Sequence, residues 1–249
     1  MKKRSKITAI FLGYNAEKTL ERFYKNFPKK IFDKIILVDD ASKDRTFELA
    51  KKLGITSYRN AKNLGYGGNM KRAFSIALKS GADVIVDIHP DGEYKTSAII
   101  PALKEIDKGA FFVLGNRFYN PDKLLKSGMF IWKYFPIKIL NALDRLILGI
   151  KINDCHQGFR VYTKKLLEKI NYKENSQSFL FSFEIIAQAA FWNLQGSQVP
   201  VDTRYTGRKR GATLRKSIGY SLGTFWILIL YMLAKLGFKI KIFEKPRIR

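Results

Sequence analysis

Short apolar runs rich in β-branched residues alternate with segments of helical spacing through the first 118 residues of the chain. Residues 7–14, 35–39, 55–58, 83–88 and 111–117 read as strands, and 16–27 and 96–107 as helices between them. Ser42 is placed to cap a further helix that stops at Gly54, and the run Gly65-Tyr66-Gly67-Gly68-Asn69 opens one that ends at Gly81. Strand and helix in strict alternation predict an α/β fold with a mostly parallel, doubly wound sheet. After Arg117 the pattern changes. Residues 121–149 are apolar and basic at helical spacing, 179–194 read as a helix, and 199–205 as a returning strand. Residues 217–234 are eighteen positions without a charge, bracketed by Arg215-Lys216 and Lys235. No internal repeat or low-complexity linker interrupts the chain.

Two of the predicted strands end in acid clusters, Ile36-Leu37-Val38-Asp39-Asp40-Ala41-Ser42 and Val86-Asp87-Ile88-His89-Pro90-Asp91-Gly92-Glu93. Runs this apolar belong to strands covered on both faces, and parallel strands all end on one rim, where open α/β sheets bind their ligands. Carboxylates gathered on a rim suited to phosphate point to a divalent metal and a nucleoside diphosphate. Magnesium takes one or two protein carboxylates and fills its shell with phosphate oxygens and water. Asp91 with Glu93 or His89 supplies such a partial shell, and the imidazole suits manganese better. Asp39 and Asp40 are placed to accept from a nucleobase or ribose, although Asp and Ser before a helix also serve as ordinary caps. The glycine run after Asn63 reads either as a phosphate cradle at a helix N-terminus or as close packing against the sheet. Arg117 ends another strand on the same rim, within reach of a phosphate. Asp154-Cys155-His156-Gln157-Gly158-Phe159-Arg160 forms a second polar knot, in which Cys155 reads as structural. Arg208-Lys209-Arg210, flanked by glycines, forms a loop able to close over a diphosphate.

Charge adds a partner to this picture. The 249 residues carry a formal net charge of +25, and from Thr203 to the C-terminus twelve Lys and Arg face one acid, Glu244. Such a surface seeks an anionic partner, nucleic acid or an anionic membrane. Uncharged residues 217–234 beside the basic residues favour the membrane and argue against nucleic acid. As a helix they span about 27 Å, short of a hydrocarbon core of roughly 30 Å, and both flanks are basic, which opposes a crossing. A helix lying in the interface is expected, with 121–150 as a second amphipathic contact. The single cysteine, Cys155, fits a reducing compartment, and the apolar run after the basic N-terminus is short enough to be the first strand and not a signal peptide.

The order of these features resembles the family 2 glycosyltransferases of GT-A fold, in the branch of polyprenyl-phosphate sugar transferases typified by dolichol-phosphate mannosyltransferase. The resemblance runs from about Ile7 to Ser217. Tyr14-Asn15 matches the pair that flanks the nucleotide, and Asp39-Asp40-Ala41-Ser42 the step that holds base and ribose. Asn63-Leu64-Gly65 matches the following loop, and His89-Pro90-Asp91-Gly92-Glu93 the metal motif, with His for its first Asp and Glu for its last Gln. Gly115-Asn116-Arg117 matches the Gly-Ser-Arg strand end, and Asp154 with Gln157-Gly158-Phe159-Arg160 the acceptor-side segment. It implies a GT-A domain over 1–212 and a membrane-associating helix and basic tail over 213–249. It further implies an inverting, metal-dependent transfer (Mg or Mn) from a GDP- or UDP-sugar to a polyprenyl phosphate or another membrane-near acceptor. The site would use Asp91 and Arg117 for catalysis, and Tyr14, Asn15, Asp39, Asp40, Asn63, Gly65, Pro90, Arg208 and Arg210 for the donor. Asp154, Gln157 and Arg160 would lie on the acceptor side, and the protein would sit on the cytoplasmic membrane face as a peripheral or monotopic enzyme. A nucleotidyltransferase of similar fold is the alternative that shares the acidic rim.

Overall fold

The computed structural model describes residues 4–205 and 213–246. Among them one seven-stranded sheet organises the chain: β1 (Ile7–Gly13), β2 (Lys34–Asp39), β3 (Thr56–Arg59), β4 (Val84–Asp87), β5 (Phe112–Asn116), β6 (Arg160–Thr163) and β7 (Gly196–Pro200). Their order is β3-β2-β1-β4-β6-β5-β7, parallel throughout except β6, which runs antiparallel to both β4 and β5. The helices are α1 (Glu17–Lys25), α2 (Thr46–Lys52), α3 (Gly65–Lys79), α4 (Ile99–Asp107), α5 (Pro121–Lys126), α6 (Ile131–Leu148), α7 (Lys164–Lys169), α8 (Phe181–Phe191) and α9 (Leu214–Lys235).

Side chains of β1 alternate between two cores, which is why its sequence reads as unbroken apolar. Ala9 and Phe11 join Leu20 and Phe23 of α1, Ala50 of α2, and Ile99 and Ala102 of α4. Ile10 and Leu12 join Met70 and Phe74 of α3, Leu166 of α7 and Phe181 of α8. The central strands are therefore buried on both faces, and the expected α/β fold is present. α9 does not stand apart from this body. Its Ile227, Leu228, Tyr231 and Ala234 sit in the same core cluster as α3 and α8.

Three elements differ from the sequence reading. β6 replaces what reads as a loop: four residues starting with Arg are too short to show a period. Its antiparallel insertion brings Arg160 opposite Asp87, so both lie on the rim formed by the C-terminal ends of β1, β2, β4 and β5. The last strand begins at Gly196 and not at 199 and ends at Pro200, after which Thr203 bridges to Tyr94. Ser42 does not cap α2, which starts four residues later; its hydroxyl is taken by the β1–β2 rim.

Candidate active site

The rim divides into a nucleoside ledge, a turn after β4, and a cavity under α6 and α9. On the ledge the β1 and β2 loops are stitched together. The Asn15 N–H donates to the Ser42 hydroxyl at 2.9 Å, and the Lys43 N–H donates to Asn15 Oδ1 at 2.9 Å. Asp39 is fully buried, receiving the Ser42 hydroxyl and, at 3.3 Å, Arg59 Nε. Asp40 Oδ1 accepts from Asn60 Nδ2 at 2.7 Å and from the Leu64 N–H at 2.8 Å. Both carboxylates thus shape the ledge from within. Asn15 and Ala41 hold left-handed φ angles of 52° and 57°, and strain of this kind in a non-glycine residue persists where the surroundings over-determine it. Above them Tyr14 leaves a half-exposed ring. A buried bracket missed in the sequence supports Asp40: Arg72 donates to Asn60 Oδ1 at 2.7 Å, and Asn60 donates to Asn69 Oδ1 at 3.0 Å.

The glycine run packs closely against its neighbours, and two of its amides are spent there: Gly65 N–H donates to Asn63 Oδ1 at 3.0 Å and Gly67 N–H to the Gln177 carbonyl at 2.8 Å. Asn63 also donates to the Asp40 carbonyl, so it locks the ledge. A Cβ on Gly67 would lie 2.3 Å from the Ser176 carbonyl oxygen, so α3 could not keep its place against that segment. Gly67→Ala is therefore expected to destabilise the fold by about 1–3 kcal/mol in urea denaturation. A neutral result would mean that the 176–177 segment yields freely.

After β4, Pro90 is buried and Asp91 is exposed, with the Glu93 N–H donating to Asp91 Oδ1 at 2.8 Å. Burial, and then the neighbouring Asp91 charge, pushes the Glu93 carboxyl above its ordinary range. The His89 ring stacks on Tyr66 at 5.8 Å, and Tyr66 in turn on Phe179 at 5.2 Å.

Arg117 and Asp154, expected as separate phosphate and acceptor residues, form one buried ion pair. Nε and Nη2 of Arg117 donate to the two Asp154 oxygens at 2.7 and 2.8 Å, with Nη2 also on the His156 carbonyl and Nη1 on the Tyr205 hydroxyl. Burial works against the guanidinium charge, but Asp154 and Tyr205 more than offset it and hold Arg117 protonated. Gln157 likewise turns inward, its amide bonded to the Phe159 backbone on both sides. These contacts brace the polar knot. Of the three acceptor-side residues Gln157 and Arg160 line the cavity; Arg160 lies 3.4 Å from the Tyr66 hydroxyl, with its buried Nε unpaired. Beneath it burial raises the Asp87 carboxyl, whose Oδ1 is also unpaired. Arg208 and Arg210 lie outside the described residues.

The cavity encloses about 480 Å³. Met129, Phe130, Ile137, Leu140 and Phe179 form apolar walls, while Lys133, Arg160 and Lys216 bring positive charge and Glu93 marks the end nearest Asp91. Its roof is α6 and α9, and both helices turn a second apolar stripe outward. On α6 that stripe is Ile131, Phe135, Ile139 and Leu146; on α9 it is Ile218, Leu222, Phe225, Ile229 and Met232. Sequence reading also missed His156, which joins the two helices through Asp144 and Tyr220. The available signal was Asp144 itself, the lone acid in an otherwise apolar and basic helix.

Comparison with known proteins decides the family. The profile of glycosyl transferase family 2 matches residues 9–171. The chain belongs to that family. Similar relatives include a UDP-N-acetylglucosamine–dolichyl-phosphate N-acetylglucosaminyltransferase of Methanococcus voltae, 25% identical over 92% of this chain and 97% of the relative. Another is a polyprenol monophosphomannose synthase of Mycolicibacterium smegmatis, 29% identical over 72% of this chain and 69% of that one. These relatives support the polyprenyl-phosphate branch suggested by the motifs. In fold the family 2 enzyme resembles glucosyl-3-phosphoglycerate synthase of Mycobacterium tuberculosis, solved with Mn²⁺, UDP-glucose and phosphoglyceric acid. That likeness has a TM-score of 0.66 at 16% identity and covers 95% of this chain and 81% of the other.

Proposed function

We propose that this family 2 glycosyltransferase moves a sugar from a nucleoside diphosphate sugar to a polyprenyl phosphate at the cytoplasmic face of an anionic membrane. The observation that carries the reading is the cavity. It is apolar in its walls and cationic within, and it opens between two helices whose outer faces are themselves apolar. An anionic head on a long apolar tail matches both parts, and the names of the relatives point to the same acceptor class.

The donor's nucleoside would rest on the ledge, between the Tyr14 ring and the loop held rigid by Asp39 and Asp40. A divalent cation fits the turn after β4. Among the described residues no group of three His, Cys, Asp or Glu side chains gathers to cage an ion. Two adjacent carboxylates, one of them half-buried and raised, make instead the partial shell that an ion already on a diphosphate needs. Asp91 and Glu93 would hold it, with His89 alongside, and it would offset charge on the leaving diphosphate. Attack in line with that leaving group inverts the anomeric centre. Arg117 contributes by fixing Asp154 and the polar knot, and Arg160 by its charge at the cavity floor.

For α9, twenty-two residues make a helix of about 33 Å, long enough to cross a bilayer. Four turns of it, however, are docked on the globular body from Tyr220 to Ala234, and only 28% of its apolar window is buried. A helix so attached is suited to lie in the interface beside α6, with Lys235, Lys239, Lys241 and Lys245 near the lipid phosphates. Replacing exposed Ile139 and Trp226 by Ser should weaken flotation with phosphatidylglycerol vesicles by about tenfold or more, because each apolar side chain inserted is worth roughly 1.5–3 kcal/mol. The melting temperature should not change, since neither is in the core. Undiminished flotation would move the membrane contact elsewhere.

A thermal-shift panel of GDP-, UDP-, CDP- and dTDP-sugars with and without Mn²⁺ tests the donor half. One base should raise the midpoint by several degrees, roughly the effect of a ligand at 100 times its Kd, and only with metal. No shift with any of them would contradict the ledge.

A further inference from the structure

Three side chains from three segments meet at the cavity wall. Asp144 Oδ2, on α6, lies 2.7 Å from His156 Nε2, and the hydroxyl of Tyr220, on α9, lies 2.9 Å from His156 Nδ1. The imidazole is 4% exposed and stacks on Phe183 of α8 at 5.4 Å. A carboxylate only accepts, so Nε2 carries its proton toward Asp144 and Nδ1 offers a lone pair to the Tyr220 hydroxyl, which donates. Carboxylate, imidazole and hydroxyl stand in the order by which an oriented base draws a proton from a hydroxyl, and His156 and Tyr220 both line the cavity. A second observation concerns the other Asp144 oxygen. Oδ1 is buried without a partner, so the carboxylate is only half satisfied until a positive charge forms beside it on the imidazole.

We propose that Asp144, His156 and Tyr220 form a proton relay that takes the last proton from a phosphate monoester bound in the cavity as acceptor; the inference rests on the acceptor reading above. A phosphate monoester keeps one proton below about pH 6 in water. Apolar walls and the proton-attracting surface of an anionic bilayer extend that form upward, while Lys133, Arg160 and Lys216 in the lining act the other way. The phosphate O–H proton passes to the Tyr220 oxygen while the Tyr220 proton passes to His156 Nδ1, leaving an imidazolium against Asp144. The freed oxygen pair forms the bond to the anomeric carbon, and the bond from that carbon to the diphosphate oxygen breaks, its electrons leaving with the diphosphate. Burial keeps the Tyr220 phenol well above its ordinary range, so it passes protons as a neutral hydroxyl. The charged or titratable groups around the relay are Arg160, Tyr66 and Cys155 near Tyr220, Lys216 beside it in the cavity lining, and Cys155 near Asp144, with Asp154 and Arg145 acting on Cys155 in turn. Arg117 holds the His156 carbonyl, and Phe183 of α8 stacks on the imidazole while Ser182 lines the cavity beside it.

The test is the pH profile of kcat for transfer to a short-chain polyprenyl phosphate by the wild type, Tyr220→Phe and His156→Gln, with thermal midpoints measured alongside. Both variants should lose on the order of 10²-fold near pH 6 and recover to within about twofold near pH 9, where the acceptor arrives without its proton. Tyr220→Phe keeps the ring and the packing, so it reports even if His156→Gln does not fold. A polyprenyl difluoromethylphosphonate, whose second proton is more acidic than that of the phosphate, should narrow the difference between wild type and Tyr220→Phe at pH 6. An equal loss at every pH, or a defect of unchanged size with the phosphonate, would make the three residues a structural brace and overturn the relay. Failure of the wild type to use either acceptor would overturn the acceptor reading itself.

Discussion

Asp91→Ala is expected to lower kcat by on the order of 10²–10³-fold, the usual cost of removing one electrostatic contact to a developing charge. Asp91 is exposed on a turn set by Pro90 and Gly92, and its recorded hydrogen bond is the one it accepts from the Glu93 N–H. Stability should hardly move, because no packed atoms are lost. Asp91→Asn separates charge from turn geometry: its amide oxygen can still accept from the Glu93 N–H, but the negative charge is gone. If the loss comes from charge, Asn should be nearly as damaging as Ala. Both should also raise the Mn²⁺ concentration needed for half-maximal rate. Full activity in either folded variant would remove the turn after β4 from the site.

Arg117→Ala should cost about 3–5 kcal/mol of stability, the effect of stripping one partner from a buried ion pair. The pair is bidentate, with side chains 5% and 0% exposed, and Asp154 also accepts the Arg117 backbone N–H at 3.1 Å. Removing the guanidinium leaves a buried carboxylate facing the cavity walls. The double variant Arg117→Met with Asp154→Leu should recover much of the loss, because it leaves no orphaned charge. Urea unfolding of the two singles and the double reads this directly. A single-variant loss below about 1 kcal/mol would mean that water reaches the pair, and the polar knot would then not be rigid.

The sheet and its rim were legible because their signal is compositional and repeated. β1, β2 and β4 are covered on both faces, so each appears as an apolar run, and the acids that end them fall on the same side by parallel topology. The outward stripes of α6 and α9 were legible for the same reason. What stayed hidden depends on pairings across long separations. β6 is four residues long, and its place between β4 and β5 is set by partners more than forty residues away. The glycines after Asn63 read as a phosphate loop or as close packing, and the packing shows only in the close approach of the Ser176 carbonyl and the acceptor at Gln177. Arg117 and Asp154 looked like two ligands because each is a lone charge in sequence. His156 looked ambiguous because its partners lie 12 and 64 residues away on different helices.

The most direct measurement of the central claim is mass spectrometry of the lipid fraction after incubating the protein, Mn²⁺ and each nucleotide sugar with a short-chain polyprenyl phosphate in anionic vesicles. The account predicts one glycosyl phosphate lipid, formed with release of the nucleoside diphosphate and absent with Asp91→Ala. Pyrophosphate release from a nucleoside triphosphate, with no glycosylated lipid from any donor, would contradict it.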